Sequence, residues 1–169
     1  NWFAIQFSEL EPIKFLRMMW KNNDTDEIMF QLLEAELDHY IKHELWGKVE
    51  NILLNNPTLC RNINPSTHEL PLHRLACYRS MRAVIIGHLI SHTPEALVSP
   101  DKSGMLPIHH AAGHGNISTL KAVYDGYQAG VNDFDLKGRL PIHVAAECHS
   151  GPHSSEVIKF LLKVAPEGA

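Results

Sequence analysis

An all-α solenoid of helix-turn-helix units with an N-terminal helical extension is the fold class this sequence predicts. Three observations carry it. A seven-residue string recurs three times at nearly constant spacing. A turn of the form Asp-x-x-Gly precedes two of the copies at the same offset. An apolar pattern of helical period follows every copy.

The string is Leu70-Pro71-Leu72-His73-Arg74-Leu75-Ala76, then Leu106-Pro107-Ile108-His109-His110-Ala111-Ala112, then Leu140-Pro141-Ile142-His143-Val144-Ala145-Ala146. The turns are Asp101-Lys102-Ser103-Gly104 and Asp135-Leu136-Lys137-Gly138. Behind the copies come Val84, Ile85, Ile86, Leu89 and Ile90; then Ile117, Leu120, Val123 and Tyr124; then Val157, Ile158, Leu161 and Leu162. In the turn, Gly supplies positive φ. Pro sits at the first helical position, where its missing N–H costs nothing. Small Ala residues let first helices approach closely, so Ala112 and Ala146 are expected to be buried between them. One unit covers only part of its own apolar face and must stack on its neighbours.

These units resemble ankyrin repeats, whose signature is T-P-L-H-x-A at a period of about 33. The resemblance covers residues 64–169, and Gly115 after the first helix also fits. It implies a protein-binding solenoid. It further implies that His73, His109 and His143 bond backbone in the neighbouring turn, a structural role. The signature Thr is Leu in every copy (Leu70, Leu106, Leu140), so its hydroxyl bond is absent or replaced. The 70–99 unit carries about two extra residues between its helices. The last carries about four, around Gly151-Pro152-His153-Ser154. Repeats are placed at about 64–99, 100–133 and 134–169. A degenerate unit is placed at 38–63, where Trp46-Gly47-Lys48-Val49 fits but the Pro-Leu-His element is missing.

Residues 1–37 show no repeat and are expected to form a helical extension or cap. Asp24-Thr25-Asp26-Glu27 is a helix start. Met29, Leu33, Leu37, Ile41 and Leu45 make one apolar stripe, predicting a helix over about 25–45. Ser8-Glu9-Leu10-Glu11-Pro12 resembles a capping box. Residues 1–22 are rich in Trp, Phe, Ile and Met, and cap the stack, dock into a partner or lie on a membrane surface, the last disfavoured because Lys14, Arg17 and Lys21 are too few for a basic face. The start at Asn1, and the missing polar cap beyond Ala165-Pro166-Glu167-Gly168-Ala169, lead us to expect a piece of a longer protein or a last unit covered by a partner.

The 169 residues are 44% hydrophobic and 20% charged with formal net charge −4, which gives no general attraction to nucleic acid or anionic lipid. Cys60, Cys77 and Cys148 form no disulfide framework, and a reducing intracellular compartment follows, cytoplasmic by default or within an organelle. No apolar run reaches the roughly 20 residues of a membrane span.

Chemistry is sparse. His109-His110 with His114, and Cys148-His149 with His153, each fall short of a zinc ligand set. Asp133-Phe134-Asp135-Leu136-Lys137-Gly138 begins like a calcium loop but has Val144 where Glu is required. No phosphate loop, metalloprotease motif or nucleophile with its base is spaced for catalysis. The expectation is no enzyme, no cofactor and no metal.

The resemblance puts partner contacts on the turn tips and first helices, at positions that vary between copies. Those are Tyr78, Arg79, Lys102, Ser103, Met105, His110, His114, Phe134, Leu136, Lys137 and Arg139. Phe134 and Leu136 are apolar side chains on a turn expected to be solvated. Phe134 either folds back on its own repeat or anchors a partner, with Arg139 in support. The leading function is a protein–protein adaptor or scaffold. The alternatives are an architectural subunit of a large assembly anchored through residues 1–22, and an appendage to an enzyme.

Overall fold

A computed structural model describes residues 25–80, 82–114, 117–148 and 154–165. The 1–22 segment with its capping box, the expected Gly115, His149 to His153 and the chain end at 166–169 lie outside the described residues. The chain divides into two compact units, residues 1–52 and 53–169, and each is taken by itself.

In the first unit, α1 (Thr25–Lys42) starts where the acidic signal predicts. Leu37 and Ile41 of its stripe are buried. The expected run to residue 45 stops three residues early. Glu44 takes a left-handed φ of 54°. Its N–H donates to the Ile41 carbonyl, and the Leu45 N–H donates to the Tyr40 carbonyl at 2.9 Å. Those paired bonds close the last turn and leave Leu45 exposed, off the stripe. The Tyr40 hydroxyl donates to Glu36 one turn back, and Lys48 lies over the Tyr40 ring. Then comes α2 (Trp46–Asn55).

The second unit repeats one plan three times. The first helices are α3 (Pro71–Ala76), α5 (Pro107–His114) and α7 (Pro141–Cys148). The second helices are α4 (Ala83–His92), α6 (Ile117–Gly126) and α8 (Ser154–Val164). Short 3₁₀ turns at Pro57–Arg61, Pro94–Val98 and Gln128–Asn132 lead into the next repeat. First helices stack in the order α3, α5, α7, and second helices in the order α4, α6, α8. There is no strand among the described residues.

Every first helix starts on its Pro, as Pro at the first helical position predicts. α4 begins twelve residues after Pro71, α6 ten after Pro107 and α8 thirteen after Pro141. The first insertion is therefore two residues, as expected, and the last is three.

The core runs through the stack. Leu72, Leu75 and Ala76 of α3 lie against Ile108, Ala111 and Ala112 of α5, all buried, with Ile85, Ile86, Leu89, Leu120, Val123, Val157 and Leu161 behind them. Leu70, Leu106 and Leu140 are buried at 5%, 6% and 5% exposure. The hydroxyl of the family's Thr is thus exchanged for an isobutyl group that leaves water, a gain of about 1.5–3 kcal/mol per fully buried side chain. One expectation is corrected here: Ala112 is fully buried, but Ala146 is exposed. A first helix buries its far face only against the helix of the following repeat. α5 has α7 there; the described residues hold no further first helix beyond α7.

Candidate functional site

The three turns that precede α3, α5 and α7 share one backbone design. The Asn64 N–H donates to the Glu69 carbonyl, Asp101 N–H to Met105, and Asp135 N–H to Arg139, at 2.9–3.0 Å. In each turn one side-chain oxygen of the opening residue collects two backbone N–H groups. Asn64 Oδ1 takes those of Ser66 and Thr67, Asp101 Oδ1 those of Ser103 and Met105, and Asp135 Oδ1 those of Lys137 and Arg139. This is why Asn or Asp opens the turn: a short acceptor folds back on its own loop. The first turn is one residue longer. His68 takes the left-handed position there (φ 58°) that Gly104 (74°) and Gly138 (71°) fill in the others.

The turns are tied edge to edge. The Lys102 N–H donates to the Thr67 carbonyl at 2.9 Å, and Leu136 N–H to the Ser103 carbonyl at 3.0 Å. Gly104 is required twice over at this join. Its φ is positive, and an added Cβ would lie 2.8 Å from the Leu136 nitrogen.

Histidines fasten the turns to the helices. In His73, Nδ1 accepts the Leu70 N–H, so the proton sits on Nε2 and donates to the Ser99 carbonyl at 2.8 Å. His109 does the same between Leu106 N–H and the carbonyls of Asp133 and Arg139. Only the neutral ring can accept at one nitrogen and donate at the other. Burial and the neighbouring His110 hold His73 down to about 4. Burial also lowers His109, against the pull of the Arg139 carbonyl and Asp135. Among the described residues His143 shows the bond from Leu140 N–H alone, and it is exposed.

On this frame the predicted contact residues separate. Phe134 is 64% exposed and Leu136 78% exposed, so Phe134 does not fold back onto its repeat. Lys102, Ser103 and Lys137 are exposed on the same tips, and Met105 is half-buried. Tyr78 and Arg79, expected along a first helix, lie in the turn beyond the end of α3, half-buried and exposed in that order, and His114 is exposed at the end of α5.

Two residues are corrected. His110 is buried, with Nε2 against Asp101 Oδ2 at 2.9 Å, so it does not line a partner face. Arg139 does not project from its tip. Its guanidinium reaches back to Asp135 at 2.7–2.8 Å and also pairs with Glu147. Asp135 is buried, which would raise its carboxyl, but bonds from Arg139 and Lys137 outweigh this and hold it below the usual range.

One residue escaped the sequence reading. Ile63, 54% exposed, stands just before Asn64, where Pro100 precedes Asp101 and Phe134 precedes Asp135. The tips therefore carry a row of Ile63, Pro100 and Phe134, all exposed. Aligning the first turn on Asn64 would have found it.

The fold also joins groups that no spacing connects. Cys77 Sγ lies 3.3 Å from His110 Nδ1, and His110 Nε2 is the atom on Asp101. The order thiol, imidazole, carboxylate is that of a nucleophile with its base. The thiol is unsuited to attack, because burial, with Glu69 and Asp101 nearby, pushes it up to about 12. The exposed Cys148 has its two neighbouring histidines outside the described residues.

No helix among the described residues is long and apolar enough to cross a membrane. The model of the family described as "Ankyrin repeats (3 copies)" matches residues 72–168, more than half of the chain. None of the curated proteins matches the chain. Repeats of this kind are generally protein–protein interaction modules. Stacked helix pairs, co-registered Asx turns and histidine straps agree with that match over the same residues, and the chain belongs to the ankyrin-repeat family.

Proposed function

We propose that the chain is an adaptor or scaffold that binds a partner protein through its turn tips, with Phe134 and Leu136 as the anchors. The observation that supports this is the exposed apolar row Ile63, Pro100 and Phe134, with Leu136 beside it. These side chains stand on turns that are hydrogen-bonded one to the next, so their backbone loses little freedom on binding. An aromatic ring adds a large rigid surface at small entropic cost. Exposed Lys102 and Lys137 rim the row and favour a partner with carboxylates around an apolar pocket. Exposed Arg79, just beyond α3, and His114, at the end of α5, extend the surface past the tips.

The test compares two variants in a pull-down from native extract, followed by affinity measurement on the recovered partner. Phe134→Ala with Leu136→Ala removes the anchors. Lys121→Ala with Lys159→Ala alters the second helices. The tip variant is expected to weaken binding by about 2 kcal/mol or more, roughly thirtyfold in Kd, with its melting temperature kept. The second-helix variant is expected to bind as the unaltered chain does. Loss of the partner only on deletion of residues 1–22 would move the function to that segment.

A further inference from the structure

We propose that Glu69, Asp101 and His110 form a binding site for a divalent transition-metal ion of the zinc type. The ligand atoms of these three side chains lie within 4.8 Å of one another. His110 Nε2 and Asp101 Oδ2 are 2.9 Å apart, near the roughly 3.0–3.4 Å that separates two ligands sharing an ion with bonds of about 2.0–2.1 Å. One imidazole with two carboxylates suits zinc better than calcium or magnesium, which prefer oxygen alone. Water would complete the coordination, as in open zinc sites.

The neighbouring repeat supplies the charge argument. Asp101 and Asp135 occupy the same place in successive turns. The outer oxygen of Asp135 meets the Arg139 guanidinium at 2.7–2.8 Å, four residues on. Four residues on from Asp101 stands Met105, and the outer oxygen meets His110 with Glu69 close by instead. Where one turn gathers a carboxylate and a permanent cation, the other gathers two carboxylates and an imidazole. A divalent ion balances both carboxylates.

The hydrogen bonds around His110 can turn to receive it. Cys77 Sγ has two neighbours, His110 Nδ1 at 3.3 Å and the His73 carbonyl at 3.4 Å. With the thiol proton on the His73 carbonyl, the sulfur accepts from His110 Nδ1–H. The single imidazole proton then sits on Nδ1, and the Nε2 lone pair faces Asp101 and Glu69. Cys77 thereby fixes the ligating tautomer without being a ligand. Asp101 is held in place through its other oxygen by the N–H groups of Ser103 and Met105. Glu69 is steadied by the Thr67 hydroxyl, which donates to Oε2 at 2.9 Å. Glu69 ends the first turn and Asp101 opens the second, so the ion would link two repeats and raise the stability of the stack. The spacing of His109, His110 and His114 did not reveal this site, because its carboxylates come from the turns.

The test is calorimetric titration of the full chain, freed of metal by chelator, with zinc chloride alone, followed by thermal melting with and without zinc. One saturable site and a zinc-dependent rise in melting temperature are expected. Glu69→Gln should weaken binding at least tenfold and His110→Gln should abolish it, and neither variant should gain stability from zinc. Should His110→Gln fail to fold, Glu69→Gln decides, because that side chain is half-exposed in the turn. Absence of saturable binding would overturn the site. So would undiminished binding in Glu69→Gln, or loss on His43→Gln or His92→Gln. Those residues belong to the helical pairs His39–His43 and His88–His92, whose ring centroids lie 4.5 and 4.4 Å apart and which offer two ligands each.

Discussion

The turns at Asp101 and Asp135 have the same backbone and different chemistry. In both, one carboxylate oxygen holds two N–H groups of its own loop and a glycine makes the reversal. The second carboxylate oxygen and the tip side chains are what vary. At Asp135 the oxygen is neutralised by Arg139, and the tip shows Phe134 and Leu136 to solvent. At Asp101 the oxygen meets His110, and the tip carries Pro100 and Lys102. The comparison teaches that the repeat fixes half of each turn's polar groups for the fold. The other half is left to do something particular: seal a salt bridge behind an apolar tip, or face an imidazole.

The largest expected difference between the turns lies in their glycines. Gly104→Ala should cost about 3–4 kcal/mol, since the added Cβ meets both a positive φ and the Leu136 nitrogen at 2.8 Å. Gly138→Ala should cost only about 1 kcal/mol, because its φ is the same but no atom stands within 4 Å. Urea midpoints of the two variants measure this. Equal costs would mean that the edge-to-edge join of the tips does not hold.

Next comes pH. The fold holds His73 neutral down to about 4, below its ordinary 6.5, so an unfolded chain takes up the proton first as pH falls. Its stabilisation is complete above pH 6.5 and fades between 6.5 and 4, by up to about 3 kcal/mol. Asp101 and Asp135, held below 3.8, lose their contributions only at lower pH. Chemical denaturation at pH 7.5 and 5 should show the loss, and His73→Gln should flatten it. An unchanged slope in that variant would remove the strap from the account.

Behind the tips, Ala112→Leu should overpack the α5–α7 contact by about 2 kcal/mol, while Ala146→Leu on the exposed face should leave the melting temperature nearly unchanged. The smallest effect is a gain. His68 fills a left-handed position that glycine fills in the next two turns, so His68→Gly should stabilise by about 0.5 kcal/mol, visible as a slightly higher denaturant midpoint.

Much of the fold could be read from local patterns. Pro71, Pro107 and Pro141 mark the helix starts, and the histidines that follow them are the straps the family resemblance implies. Burial was less legible, because it comes from neighbours. His143 and Ala146 stand at the places of His109 and Ala112 in α5, yet both are exposed where their counterparts are buried. Arg139 sits on a turn tip, where a solvated side chain is expected; the carboxylate four residues before it captures it instead. The Cys77, His110, Asp101 and Glu69 grouping draws on both turns, the end of α3 and the face of α5, so no spacing could announce it. Ile63 was hidden by a first turn one residue longer than the others and opened by Asn.

The central claim is that the turn tips carry the binding energy. The most direct test is the affinity of the Phe134→Ala, Leu136→Ala chain for its recovered partner, beside the Lys121→Ala, Lys159→Ala chain. The account predicts binding about thirtyfold weaker for the tip variant, with unchanged folding and with full affinity in the second-helix variant. Full affinity in the tip variant, with loss in the second-helix variant, would contradict it.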